Sequence, residues 1–75
     1  MNIVRKTREL GHLSQSELAE LIGISRRQII NQEQGHSSIT RPYALLMACI
    51  QELGVSNIRI IAGQLSEYEF EEDKE

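Results

Sequence analysis

Residues 14–35 read Ser-Gln-Ser-Glu-Leu-Ala-Glu-Leu-Ile-Gly-Ile-Ser-Arg-Arg-Gln-Ile-Ile-Asn-Gln-Glu-Gln-Gly. Ser14 and Glu17 stand three apart, the spacing at which a hydroxyl and a carboxylate each satisfy a free backbone N–H at a helix start. Leu18, Leu21 and Ile22 follow at helical spacing, and Gly23 supplies a stop. Only Ile24 separates that glycine from a second box of the same design, Ser25 with Gln28, whose helix is expected to end near Gly35. Two helices that meet almost without a loop cross steeply instead of forming a hairpin, which is the geometry of a helix-turn-helix.

Working outward, the spacing predicts a first helix from about Ile3 to Leu10, with Asn2 as its cap and Gly11 ending it in the left-handed conformation. Residues 36–40 form a polar connection interrupted by Ile39, and Pro42 fits the first turn of a fourth helix, where its missing N–H costs nothing. Tyr43, Leu46, Ile50 and Leu53 give that helix the broadest apolar face, ending at Gly54. Ser56 is a candidate cap for a fifth helix that carries Ile58, Ile61, Ala62 and Leu65 on one face. The run Ile58-Arg59-Ile60-Ile61 suits a short C-terminal strand equally well, and such a strand would pair across a dimer. The expected fold is therefore all-α, a four- to five-helix bundle. Its domain spans residues 1–65, followed by an acidic, fraying tail over 66–75 that includes Tyr68 and Phe70.

A chain of 75 residues holds one domain with a modest core, so a homodimer is the first expectation. Apolar residues make up 40% and charged residues 25%, the proportions of an ordinary globular domain. No stretch nears the roughly 20 apolar residues that span a bilayer, and no signal-peptide core opens the chain, so a cytoplasmic protein without membrane contact is expected. The single cysteine, Cys49, lies among apolar neighbours and is predicted to be a buried, inert thiol. The net charge of −3 hides an asymmetry: residues 1–41 hold six Lys/Arg against four Glu, and residues 42–75 hold two against seven acidic residues. A basic half is compatible with phosphate binding, because the local field decides it.

On a helical wheel, residues 26–34 place Ile29 and Glu33 on one face and Arg27, Ile30, Asn31 and Gln34 on the other, with Arg26 pointing outward from the first turn. Arginine presents a fork to guanine O6 and N7, and Asn or Gln matches adenine N6 and N7, so this face has the chemistry of the DNA major groove. Ile30 suits a thymine methyl or, equally, a second subunit. Gln15, at the start of one helix, and the start of the next can approach phosphates through helix N-termini.

Residues 15–34 resemble the helix-turn-helix of the phage repressor and Cro-type transcriptional regulators, and Gly35 extends the likeness. The resemblance implies a lambda repressor-like fold in which Ala19 lets the two helices approach, Gly23 makes the turn and Ile29 anchors the reading helix. It further implies that Gln15 binds phosphate, that Arg26, Arg27 and Asn31 read base edges, and that Gln28 reaches bases or backbone. Arg8 and Glu33 match a pair that forms a buried salt bridge in many relatives. Gln32 departs from the pattern, standing where relatives carry a large apolar or aromatic residue, and residues 57–75 match nothing in it.

His36, Ser37, Ser38 and Arg41 follow the reading helix and can donate hydrogen bonds to phosphates, as can Gln34. Neither His12 nor His36 has a partner at metal-ligand spacing, and no Cys and His arrangement suggests a nucleophile, so neither a metal, a cofactor nor catalysis is expected. The reading is a sequence-specific regulator of double-stranded DNA, a repressor acting as a homodimer on a palindromic operator, in a phage or mobile-element setting. Two other readings stay open. One is an antitoxin whose C-terminal segment binds a protein partner; the other is a controller or activator protein that carries the same motif.

Overall fold

The computed structural model describes residues 1–72. Five α-helices follow one another: α1 (Ile3–Leu10), α2 (Gln15–Ile22), α3 (Arg26–Gln34), α4 (Arg41–Leu53) and α5 (Val55–Gln64), with a closing 3-10 turn at Leu65–Glu67. Among the described residues there is no strand, so Ile58–Ile61 is helical and the strand alternative falls. The reason is local. The chain bends by 118° between α4 and the segment Val55–Glu67, and only a helix turns Ile58 back onto the core while leaving Ile60 and Ile61 outside.

One core serves all five helices. Val4, Leu13, Leu18, Ala19, Ile24, Ile29, Met47, Ile50 and Ile58 form it, with Ile3, Leu21, Ile22, Ile39, Tyr43, Leu46 and Val55 packed around them. Each buried aliphatic side chain contributes about 1.5–3 kcal/mol of apolar transfer, so every helix is held by at least one such contact. α1 packs on α4, α2 on α3 and α5, and α4 on α5.

The ends of the helices show where local chemistry decides and where packing does. Both capping boxes form. α2 and α3 stop at Gly23 and Gly35, each at φ +80, a conformation that costs glycine little. Gly11 differs from expectation. Its φ is −87, and the left-handed residue is His12 at φ +54, one position later. Leu13 N donates to Arg8 O at 2.9 Å and His12 N to Glu9 O at 3.2 Å, so the carbonyls of the last turn are satisfied all the same. Glycine at 11 answers instead to a close approach: a Cβ there would stand 2.8 Å from Val55 Cγ2.

Four further expectations are corrected. Cys49 is exposed, because the apolar run of α4 is wider than the surface its neighbours cover; Met47 and Ile50 define the inward line. For the same reason Leu53 points outward, at 47% exposure. Ser56 does not cap α5; Gly54, at φ +85, precedes it without a side-chain cap. Of the face expected on α5, Ile58 alone is buried, while Ile61 and Leu65 stay largely open. The acidic tail expected over 66–75 starts within the 3-10 turn Leu65–Glu67, and residues 73–75 of it lie outside the described residues. No single helix among the described residues is long and apolar enough to cross a membrane.

Candidate nucleic-acid interface

The angle between α2 and α3 is set by three short segments of chemistry. Ser14 Oγ accepts from Glu17 N at 3.0 Å, and Glu17 Oε1 accepts from Ser14 N at 2.8 Å, so α2 starts where its box dictates. Those bonds hold the Glu17 carboxyl below the ordinary glutamate range. At the other end, Gly23 and Ile24 both donate to Ala19 O, at 2.9 and 3.0 Å, which turns the chain while dropping Ile24 into the core. Ser25 Oγ then accepts from Gln28 N at 3.1 Å, and Gln28 Oε1 accepts from Ser25 N at 2.9 Å, which opens α3.

The inward face of α3 is anchored at three levels. Ile29 is fully buried in the core cluster that also holds Leu18 and Ala19 of α2. Glu33 takes a two-pronged bond from Arg8, Nε to Oε2 at 2.8 Å and Nη2 to Oε1 at 2.9 Å, with 20% and 7% of the two side chains exposed. Desolvation works against the Arg8 charge, but the hydrogen bond to Glu33 outweighs it and raises the guanidinium above its ordinary pKa. Gln32 is buried as well, at 5% exposure. Its side-chain Oε1 has no hydrogen-bond partner, so the departure noted in the sequence is accommodated inside the fold at the cost of an unsatisfied acceptor.

Asn2, the expected cap of α1, and Thr7, which the sequence reading did not single out, complete this frame. Asn2 caps α1 through Oδ1, which accepts from Arg5 N at 2.9 Å, and its Nδ2 donates to Gln32 O at 2.8 Å, tying the start of α1 to α3. Thr7, 1% exposed, donates to Ile3 O at 2.7 Å and accepts from Gln51 Nε2 at 2.9 Å, joining α1 to α4. Thr7 follows Val4 at helical spacing, which would have marked it as inward. Nothing in the sequence announces partners 30 and 44 residues away.

With the inner face clamped, the outer face of α3 is presented. Arg26, Arg27 and Gln34 are exposed, and Ile30 and Asn31 are half-buried along the same side. Arg26 and Arg27 make no ion pair among the described residues, so this surface carries two uncompensated positive charges beside amide and hydroxyl donors. Gln28 is half-buried and its carbonyl oxygen is spent in the capping box, leaving only its amide N–H groups for an outside acceptor. Gln15 is half-buried at the first position of α2. His36, Ser37 and Ser38 are exposed after Gly35. The backbone N–H groups of His36 and Ser37 already donate to Asn31 O, so only their side chains are available to an outside acceptor. Arg41, one residue past the polar connection, is the exposed first residue of α4.

The arrangement is one of two short helices at a fixed turn, the second with a buried stripe and a basic, amide-bearing outer stripe, with half-buried Gln15 at the start of the first and exposed donors after the second. A protein-family model described as helix-turn-helix matches residues 4–56, from α1 to the first turn of α5. Neither the curated proteins nor the solved structures compared with the chain give a match.

Proposed function

The chain belongs to the helix-turn-helix family of DNA-binding transcriptional regulators, and from that premise we propose that it is a repressor binding a palindromic operator as a homodimer. One α3 enters the major groove of each half-site, the two about one turn of DNA apart. The observation that carries this reading is the division of α3. Its inner side is pinned by Ile29 and by the Arg8–Glu33 pair, while Arg26, Arg27 and Asn31 lie along the opposite side with the arginines unpaired. A fixed helix with unpaired forks matches what base-edge reading requires.

In this reading Arg26, Arg27 and Asn31 contact base edges, with Ile30 against a thymine methyl. Gln28 contributes its amide N–H. Gln15, Gln34, His36, Ser37, Ser38 and Arg41 hold phosphates on either side. The dimer is supported by the apolar side chains left open on α4 and α5, among them Leu45 at 59% and Ile60 at 62% exposure, in a domain with a small core.

Selection of bound sites from a random duplex pool should return an inverted repeat. Arg26→Ala, Arg27→Ala and Asn31→Ala should each cost about 1–3 kcal/mol and relax preference at particular positions. Gln15→Ala should weaken all sequences alike. If the Arg26→Ala/Arg27→Ala double variant bound the selected site as tightly as the wild type in an anisotropy titration, the assignment would fail.

A further inference from the structure

Beyond the segment that matches the family, the chain doubles back on itself. α5 gives way to the turn Leu65–Glu67, held by Tyr68 N donating to Leu65 O at 3.0 Å, and Tyr68 then adopts an extended conformation. The following residues run past the end of α2. Phe70 and Glu72 form one side of a groove of about 480 Å³ whose other sides are Leu21, Ile22 and Gly23 of α2 and its turn, and Ala62 and Leu65 of the α5 end. Phe70 is 53% exposed, so close to half of its surface is covered although it lies in the last few described residues. Glu72 is closer still to the motif: a Cβ built on Gly23 would stand 3.0 Å from Glu72 Oε2. The carboxylate therefore sits beside the turn that leads, two residues later, into Ser25 and the N-terminal end of α3.

That position has an electrostatic consequence. The N-terminal end of a helix is its positive pole and attracts anions. Charges interact over roughly 8 Å at physiological salt, and Glu72 lies beside Gly23, two residues before the cap of α3, with Glu69 and Glu71 near it in the chain. We propose that the segment Tyr68–Glu72 is an autoinhibitory strap: Phe70 seats it in the groove between α2 and α5, and its carboxylates compete with DNA phosphates for the positive region around the start of α3. The inference rests on the DNA-binding reading above. It accounts for an acidic end on a chain whose other half is basic, and for an aromatic residue within that end.

Two full-length variants test it, Glu69→Gln/Glu71→Gln/Glu72→Gln, which removes charge, and Phe70→Ala, which keeps every charge but removes the seat. Circular dichroism checks that both remain folded. Each is titrated against a labelled random-sequence duplex at about 50 and about 200 mM salt. The strap predicts tighter binding by both, about fivefold for the triple variant and about twofold for Phe70→Ala at the lower salt, with both gains shrinking at the higher one. Unchanged affinity of the triple variant would overturn the proposal. So would a gain in the triple variant with none in Phe70→Ala, because the carboxylates would then act through the general field and not from a seated segment. Absence of binding by wild type and variants alike would overturn the DNA-binding reading itself, whereas equal binding by all three removes the strap alone.

Discussion

Arg8 and Glu33 are joined by two parallel hydrogen bonds of 2.8 and 2.9 Å across a sequence separation of 25 residues, and through them the end of α1 holds the end of α3. The pair lies on the side of α3 that faces the core, so the orientation of the outward side chains depends on a contact none of them makes. Removal of one partner leaves the other in a site with little water. Arg8→Ala or Glu33→Ala is expected to cost about 3 kcal/mol, a fall in Tm of very roughly 10–25 °C for a domain of this size. Replacement of both by Met should cost less than either single change, as a thermal double-mutant cycle would register.

Gln32 offers the opposite experiment. Its Oε1 is buried without a partner, and an unsatisfied acceptor of this kind costs about 1–3 kcal/mol. Gln32→Leu keeps the volume nearly constant and removes the acceptor, and the bond from Asn2 survives because it goes to the backbone carbonyl. The variant should unfold at higher urea concentration than the wild type with an unchanged m-value. A lower midpoint would mean that the amide is satisfied in solution.

Gly11 and Gly35 are both helix-terminal glycines held for different reasons. Gly11→Ala brings a methyl to 2.8 Å from Val55 Cγ2 and should cost about 1–3 kcal/mol by overpacking. Val55→Ala in the same chain should restore part of that loss. Gly35 has open space around it and φ +80, so Gly35→Ala should cost about 1–2 kcal/mol through backbone strain, with no second-site substitution in the core to relieve it. Urea midpoints of the three variants separate the two mechanisms.

The Glu17 carboxyl titrates below its ordinary value because the backbone and side chain of Ser14 hold its charged form. A group whose folded pKa is depressed contributes stability above its unfolded value, and that contribution is lost as pH falls through the folded one. The difference in Tm between wild type and Glu17→Gln should thus be full at neutral pH and narrow below about pH 4, the ordinary glutamate range. A difference that stays constant down to about pH 3 would remove the capping box as its source. Arg8 behaves differently. Its pKa is raised, so its contribution is present below the ordinary arginine value and is lost only as pH rises through the folded one, beyond the range in which the fold is measured.

The sequence alone determined the parts of this protein that are made within a few residues. Ser14 with Glu17, Ser25 with Gln28, and glycine at 23 and 35 are contacts between near neighbours, and such contacts are set by the order of residues whatever surrounds them. They define α2, the turn and α3, and with them the stripe of Arg26, Arg27 and Asn31. What only the tertiary structure decided is which surfaces have a neighbour. Cys49 and Leu53 sit in apolar runs and yet lie outside, because α4 offers more apolar surface than α1 and α5 cover. Gly11 is glycine because Val55, 44 positions away, presses on it. Thr7 is buried because Gln51 is there to bond it. The approach of Phe70 and Glu72 to Gly23 depends on the 118° bend after α4 and on the length of α5, and neither is written in the residues that meet there. Burial and long-range contact belong to the packed chain as a whole, since each depends on what every other helix leaves uncovered.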